Sequence, residues 1–136
     1  MMDVENVTSA DGTIVALLIS GAQYPSETTF LTPADLNQQV GYIVRKKGEV
    51  IEPHHHLDIQ RNIVGTSEVL VVCQGKLSVD FYTENNHCFA TRQLTEGNVL
   101  VLCSGGHGFR VEEDTVLLEI KQGPFTEGQD KRKFTT

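Results

Sequence analysis

The chain has 136 residues, of which 39% are apolar and none is Trp, and carries a formal net charge of −7 from 11 basic and 18 acidic residues. This length fits one domain that buries roughly two-thirds of the surface its unfolded chain would expose. The acidic balance argues against a nucleic-acid backbone or an anionic lipid surface as partner, and the apolar runs fall far short of the roughly 20 residues that span a bilayer.

Three cysteines, Cys73, Cys88 and Cys103, form no regular framework. Free thiols fit a reducing compartment, and residues 1–12 are polar and acidic rather than leader-like, so the expected location is cytoplasmic. Abundant strand formers and 12 glycines point to an all-β domain.

In chain order, Thr13–Ser20 (TIVALLIS) reads as a strand that is apolar on both faces. It suits the middle of a barrel or a strand shared across a dimer interface. Residues 21–33 read as loop, with a short helical turn expected from Pro33 to Leu36. Val40–Lys46 is the next expected strand, followed by a turn at Lys46-Lys47-Gly48 and a short extended stretch to Glu52. Leu57–Thr66 reads as loop.

Glu68–Cys73 and Lys76–Tyr82 flank Gln74-Gly75 and form the clearest hairpin. Leu77, Val79 and Phe81 alternate there with Ser78, Asp80 and Tyr82. Further strands are expected at Cys88–Leu94, Val99–Leu102, Gly108–Val111 and Thr115–Gln122, separated by Gly-rich or acidic turns. Spacing near ten residues suits a sandwich or barrel. The charged segment after Gly123-Pro124 is expected to be loosely held.

Pro53-His54-His55-His56 is the strongest local signal. On an extended segment His54 and His56 point one way and His55 the other, and roughly 7 Å of rise lets two imidazoles share one ion. His-rich triplets also occur as surface decoration, so further donors are needed. Glu68 opens an apolar strand, where a charge suits the rim of a polar pocket. His107 sits among Gly105, Gly106 and Gly108, a tight backbone that would aim its ring.

These residues resemble the cupin superfamily over about residues 40–122. The first cupin motif runs Gly, five residues, His-x-His, then Glu, six residues, Gly. Here Gly48 precedes His54-His55-His56 by five residues, and Glu68 precedes Gly75 by six. Eleven residues, 57–67, separate His56 from Glu68 where the family has three or four, which reads as an inserted loop. Gln60 lies at the standard spacing and is the rival for Glu68, although no apolar strand begins there. The second motif is matched by Gly97, five residues, then Cys103-Ser104-Gly105, with Cys103 in place of Pro, His107 one residue early and Val111 in place of an Asn.

The resemblance implies a cupin-type jelly-roll β-barrel spanning residues 1–136 as one domain, with its core at 40–122, an N-terminal strand at 13–20 and a charged tail at 123–136. It implies a divalent metal ion, Zn, Fe, Mn or Ni, held by His54, His56, Glu68 and His107, a small-molecule ligand and a homodimer. Glu119 and Lys121 share one face of the last strand. They are either a solvated charged edge or acid–base groups at the barrel mouth. Arg45 could hold a carboxylate or phosphate, and Arg61 could cover the pocket from the inserted loop. Cys73 and Cys103 are expected to pack.

The sequence also looks like small bacterial cupins associated with sugar and polysaccharide metabolism. That implies an isomerase or epimerase acting on a sugar or sugar-nucleotide derivative, with Glu119 or a pocket histidine as base. Fe(II)-dependent dioxygenation by the same ligands and a non-catalytic sugar- or metal-binding module are the alternatives.

Overall fold

A computed structural model of the chain describes residues 2–136. It has ten strands: β1 Asp3–Thr8, β2 Ile14–Ser20, β3 Thr29–Phe30, β4 Gly41–Tyr42, β5 Glu68–Gln74, β6 Lys76–Tyr82, β7 Cys88–Thr95, β8 Val99–Leu102, β9 Gly106–Val111 and β10 Val116–Lys121. Pairing between strands is antiparallel throughout. One sheet has the order β1-β2-β8-β5-β10, a second has β7-β6-β9, and β3 and β4 form a small ribbon. The all-β class expected from the sequence is present. The closed barrel is not: the two larger sheets remain separate and leave free edges, in a sandwich-like arrangement.

Alternation along the strands builds the core. Leu77, Val79 and Phe81 of β6 are wholly buried, and they meet Ala16, Leu18, Leu70, Val72, Leu100 and Leu102 of the larger sheet. Leu17, Ile19, Val69 and Val101 point out of the opposite face of that sheet. There Leu31, Leu36, Val40 and Tyr42 cover them, so β2 is enclosed on both sides. Its all-apolar sequence follows from that position between β1 and β8. An ion pair from Arg92 Nε to Glu5 Oε1, at 2.6 Å, ties β7 to β1.

Several sequence expectations need correction. Glu68–Cys73 and Lys76–Tyr82 do not pair as a hairpin: β5 pairs with β8 and β10 and β6 with β7 and β9, so the Gln74-Gly75 turn carries the chain from one sheet to the other. Residues 3–8 form an edge strand despite their polar composition, because β2 supplies a complete ladder partner. The strand expected over 40–46 shrinks to Gly41–Tyr42, since its only sheet partner is the two-residue β3. Pro33 to Leu36 is, as expected, a single turn, closed by the Leu36 N–H donating to the Pro33 carbonyl at 3.1 Å. Cys73 is exposed rather than packed, and Cys103 is half-buried. The tail is not loose along its length. Asp130 pairs with Lys121 at 3.5 Å, and Phe134 stacks edge-on against Tyr82 with ring centroids 5.1 Å apart. Among the described residues no helix is long and apolar enough to cross a membrane.

Candidate functional site

The same alternation that builds the core places charged groups at one end of it. On β5, Val72 and Leu70 face the other sheet, and Glu68 continues that row. On β10, Leu117 packs against the core, and Glu119 and Lys121 continue its row. Lys121 stands opposite Glu68 in the ladder, and Glu119 opposite Leu70. From the second sheet, Phe109 packs against the core and His107, two residues earlier on β9, lies opposite Phe81. Three charged side chains of one sheet and an imidazole of the other therefore lie where the apolar filling ends.

Electrostatics confirm that these groups share one neighbourhood. The Glu68 carboxyl is pushed above the usual carboxylate range, first by burial and then by a hydrogen bond and charge repulsion from Glu119; Lys121 and Lys131 oppose the shift. His107 is lowered, first by burial and then by Lys131, with Glu119 acting the other way. Lys121 is held by Asp130 and is about three-quarters buried.

The histidine pair lies elsewhere. Residues 43–67 form no strand. Their anchors lie at the two ends. Val44 N–H donates to Thr28 Oγ1 at 3.0 Å, and Ser67 Oγ donates to Gln38 Oε1 at 3.0 Å. Between these ends His54, His55 and His56 are all exposed, as are Gln60 and Arg61. The His54 and His56 rings are nevertheless close, with centroids 5.2 Å apart in an edge-on arrangement. His54 Nδ1–H donates to the Glu52 carbonyl at 2.8 Å, which leaves Nε2 with its lone pair free for a metal.

The four expected ligands thus fall into two groups, His54 with His56 on the exposed loop and Glu68 and His107 at the sheet opening. No set of three or more His, Cys, Asp or Glu side chains among the described residues is arranged to hold an ion. The donor chemistry of three imidazoles and a carboxylate fits a divalent transition metal. A common coordination sphere would require residues 47–66 to fold over the opening.

Arg45 is used locally, donating to Thr28 Oγ1 and to the Val44 carbonyl, both at 2.9 Å. Burial pushes the Cys103 thiol up, away from a reactive thiolate. Sequence reasoning missed Asp130 and Lys131, which the tail carries back to the opening.

Comparison with protein-family models, with curated proteins and with solved structures returned no significant match.

Proposed function

We propose that this chain is a metal-binding, cupin-type jelly-roll protein that acts on a small polar metabolite, such as a sugar or sugar-nucleotide derivative, as an isomerase or epimerase. The observation that supports the reading is the gathering of Glu68, Glu119, Lys121 and His107 at one opening between the sheets. In this reading His54, His56, Glu68 and His107 hold the ion once the loop closes. A bound divalent ion supplies a Lewis acid that polarises a substrate carbonyl.

The chain's own groups supply the proton handling. Glu119, exposed at the opening, is the general base of this reading. It takes a proton from the carbon next to the carbonyl and returns it to the neighbouring carbon as the hydroxyl proton passes to the former carbonyl oxygen. Lys121, fixed by Asp130, keeps a positive charge beside the developing enolate oxygen. Closure of residues 47–66 would also exclude water from that proton transfer.

The reading extends to a homodimer. Val116, Leu118 and Ile120 line the outer face of β10 at a free sheet edge and are each about half exposed. Beside them an apolar groove of about 310 Å³ runs past Ile19, Val40, Tyr42 and Val69. A second copy packing there would cover both features.

Cobalt or zinc titration of metal-stripped protein tests the metal site. A His54→Ala/His56→Ala variant and a Glu68→Gln/His107→Ala variant should each lose affinity by about tenfold or more if the four residues serve one ion. Loss in the first variant with wild-type affinity in the second would reduce the histidines to an isolated surface pair and end the proposal. Turnover of a keto-sugar panel by the metal-loaded protein, abolished in Glu119→Gln, tests the chemistry.

A further inference from the structure

The C-terminal strap does more than close the end of the sandwich. Where it crosses the β6–β7 and β8–β9 turns it borders a second, open cleft of about 360 Å³. Thr83, Asn86, Gly105 and Gly106 line one side, and Lys131 and Arg132 line the other. The strap is held in place on both sides of these two cations. Asp130 binds Lys121, and the Phe134 ring lies against Tyr82, so close to Gly106 that a Cβ there would come within 3.3 Å of it.

The charge arrangement of this cleft runs against that of the whole molecule. The chain carries −7, yet neither Lys131 nor Arg132 has a carboxylate within ion-pairing distance among the described residues. Asp130, the nearest acid in sequence, is already occupied by Lys121. Glu84 is the one other acid on the wall. The remaining polar lining suits an anion. Thr83 Oγ1 accepts the His87 N–H at 3.3 Å and keeps its own hydroxyl hydrogen to donate, and the Asn86 amide carries two further donors.

We propose that the open cleft beside the strap is a binding site for the oxyanion group, phosphate or carboxylate, of a small metabolite, with Lys131 and Arg132 as its charged contacts. Arg132 provides a planar fork that can grip two oxygens, and Lys131 a point charge. The site needs no metal and stands apart from the ligation proposed above.

The test measures pyrophosphate and malonate binding by calorimetry on metal-stripped protein, at low and at physiological salt. The two probes separate a phosphate source from a carboxylate source. Saturable binding of either is expected. Lys131→Gln/Arg132→Gln should weaken it about tenfold or more, from the loss of two charge-assisted contacts. Glu84→Gln should tighten it severalfold by removing the opposing carboxylate. Phe134→Ala should weaken it by releasing the strap, and Lys46→Gln/Lys47→Gln, on the exposed loop, should leave it unchanged. Binding of neither probe, or equal loss from the loop-lysine and strap variants, would overturn the proposal. Because Glu84→Gln acts by gain, its result stands even if a strap variant folds poorly.

Discussion

The segments 43–67 and 68–82 follow one another in the chain, and both carry large apolar side chains, but they dispose of them in opposite ways. In β5 and β6, which are joined by the Gly75 turn but lie in different sheets, Leu70, Val72, Leu77, Val79 and Phe81 are all buried. In the preceding loop Val50, Ile51, Leu57, Ile59 and Val64 are all more than half exposed. Each strand places these residues at every second position, and ladders from β5 to β8 and β10 and from β6 to β7 and β9 hold them on the face that meets the opposite sheet. The loop residues follow no such period and have no ladder partner, so nothing gathers them on one side. Apolar content alone does not bury a segment; a repeating geometry that faces a partner does.

The most severe way to break the comparison is to remove the same kind of side chain from each side. Phe81→Ala deletes a ring with no exposed surface and should cost about 3–5 kcal/mol. Leu57→Ala, in the loop, should change stability by less than about 0.5 kcal/mol. Urea denaturation of both variants decides it. A large cost for Leu57→Ala would mean that the loop is packed in solution.

Two motif glycines offer the next contrast. Gly75 and Gly48 both have positive φ, at 96° and 92°. A Cβ at Gly75 would run into the Asp114 carbonyl and Thr115, whereas at Gly48 it would meet nothing within 4 Å. Gly75→Ala therefore combines an overpacking cost with left-handed strain, about 2–4 kcal/mol together. Gly48→Ala meets only the strain, about 1 kcal/mol. Thermal melts should rank them in that order. Equal losses would show that the space around Gly75 plays no part.

How much was legible follows the same division. Lys76–Tyr82 and Val99–Leu102 were placed to the residue, and β5, β7, β9 and β10 to within two residues, because alternation and glycine turns are local signals. β1 was missed because its strand character comes from β2 and not from its own composition. The face shared by Glu119 and Lys121 could be read from alternation alone. Its meeting with His107 and Glu68 could not, since that depends on which strands pair. The strap was illegible for the same reason: Asp130 and Phe134 act through partners 9 and 52 residues away in the chain. The His54 and His56 rings lie close together, with centroids 5.2 Å apart.

The mildest contrast concerns charge. On the outer face of β6, Asp80 accepts hydrogen bonds from Arg110 Nε at 3.0 Å, Arg110 Nη2 at 2.9 Å and Thr91 Oγ1 at 2.6 Å, so it links β9 and β7 through the central strand. The Arg110 bond first and the Thr91 bond second hold its carboxyl below the usual carboxylate range. A carboxyl lowered on folding stabilises the fold above its unfolded value, near about 3.9, and loses that contribution as pH falls through the folded value. Arg110 is largely exposed, so solvent screening keeps the effect small. Asp80→Asn should lower the melting temperature by a few degrees at pH 7, and the wild-type and variant curves should converge towards pH 2–3 as Asp80 protonates. If the Asp80→Asn curve instead ran parallel to the wild type across the whole range, the ionised carboxylate would contribute nothing, and the sheet would rest on its ladder and core alone.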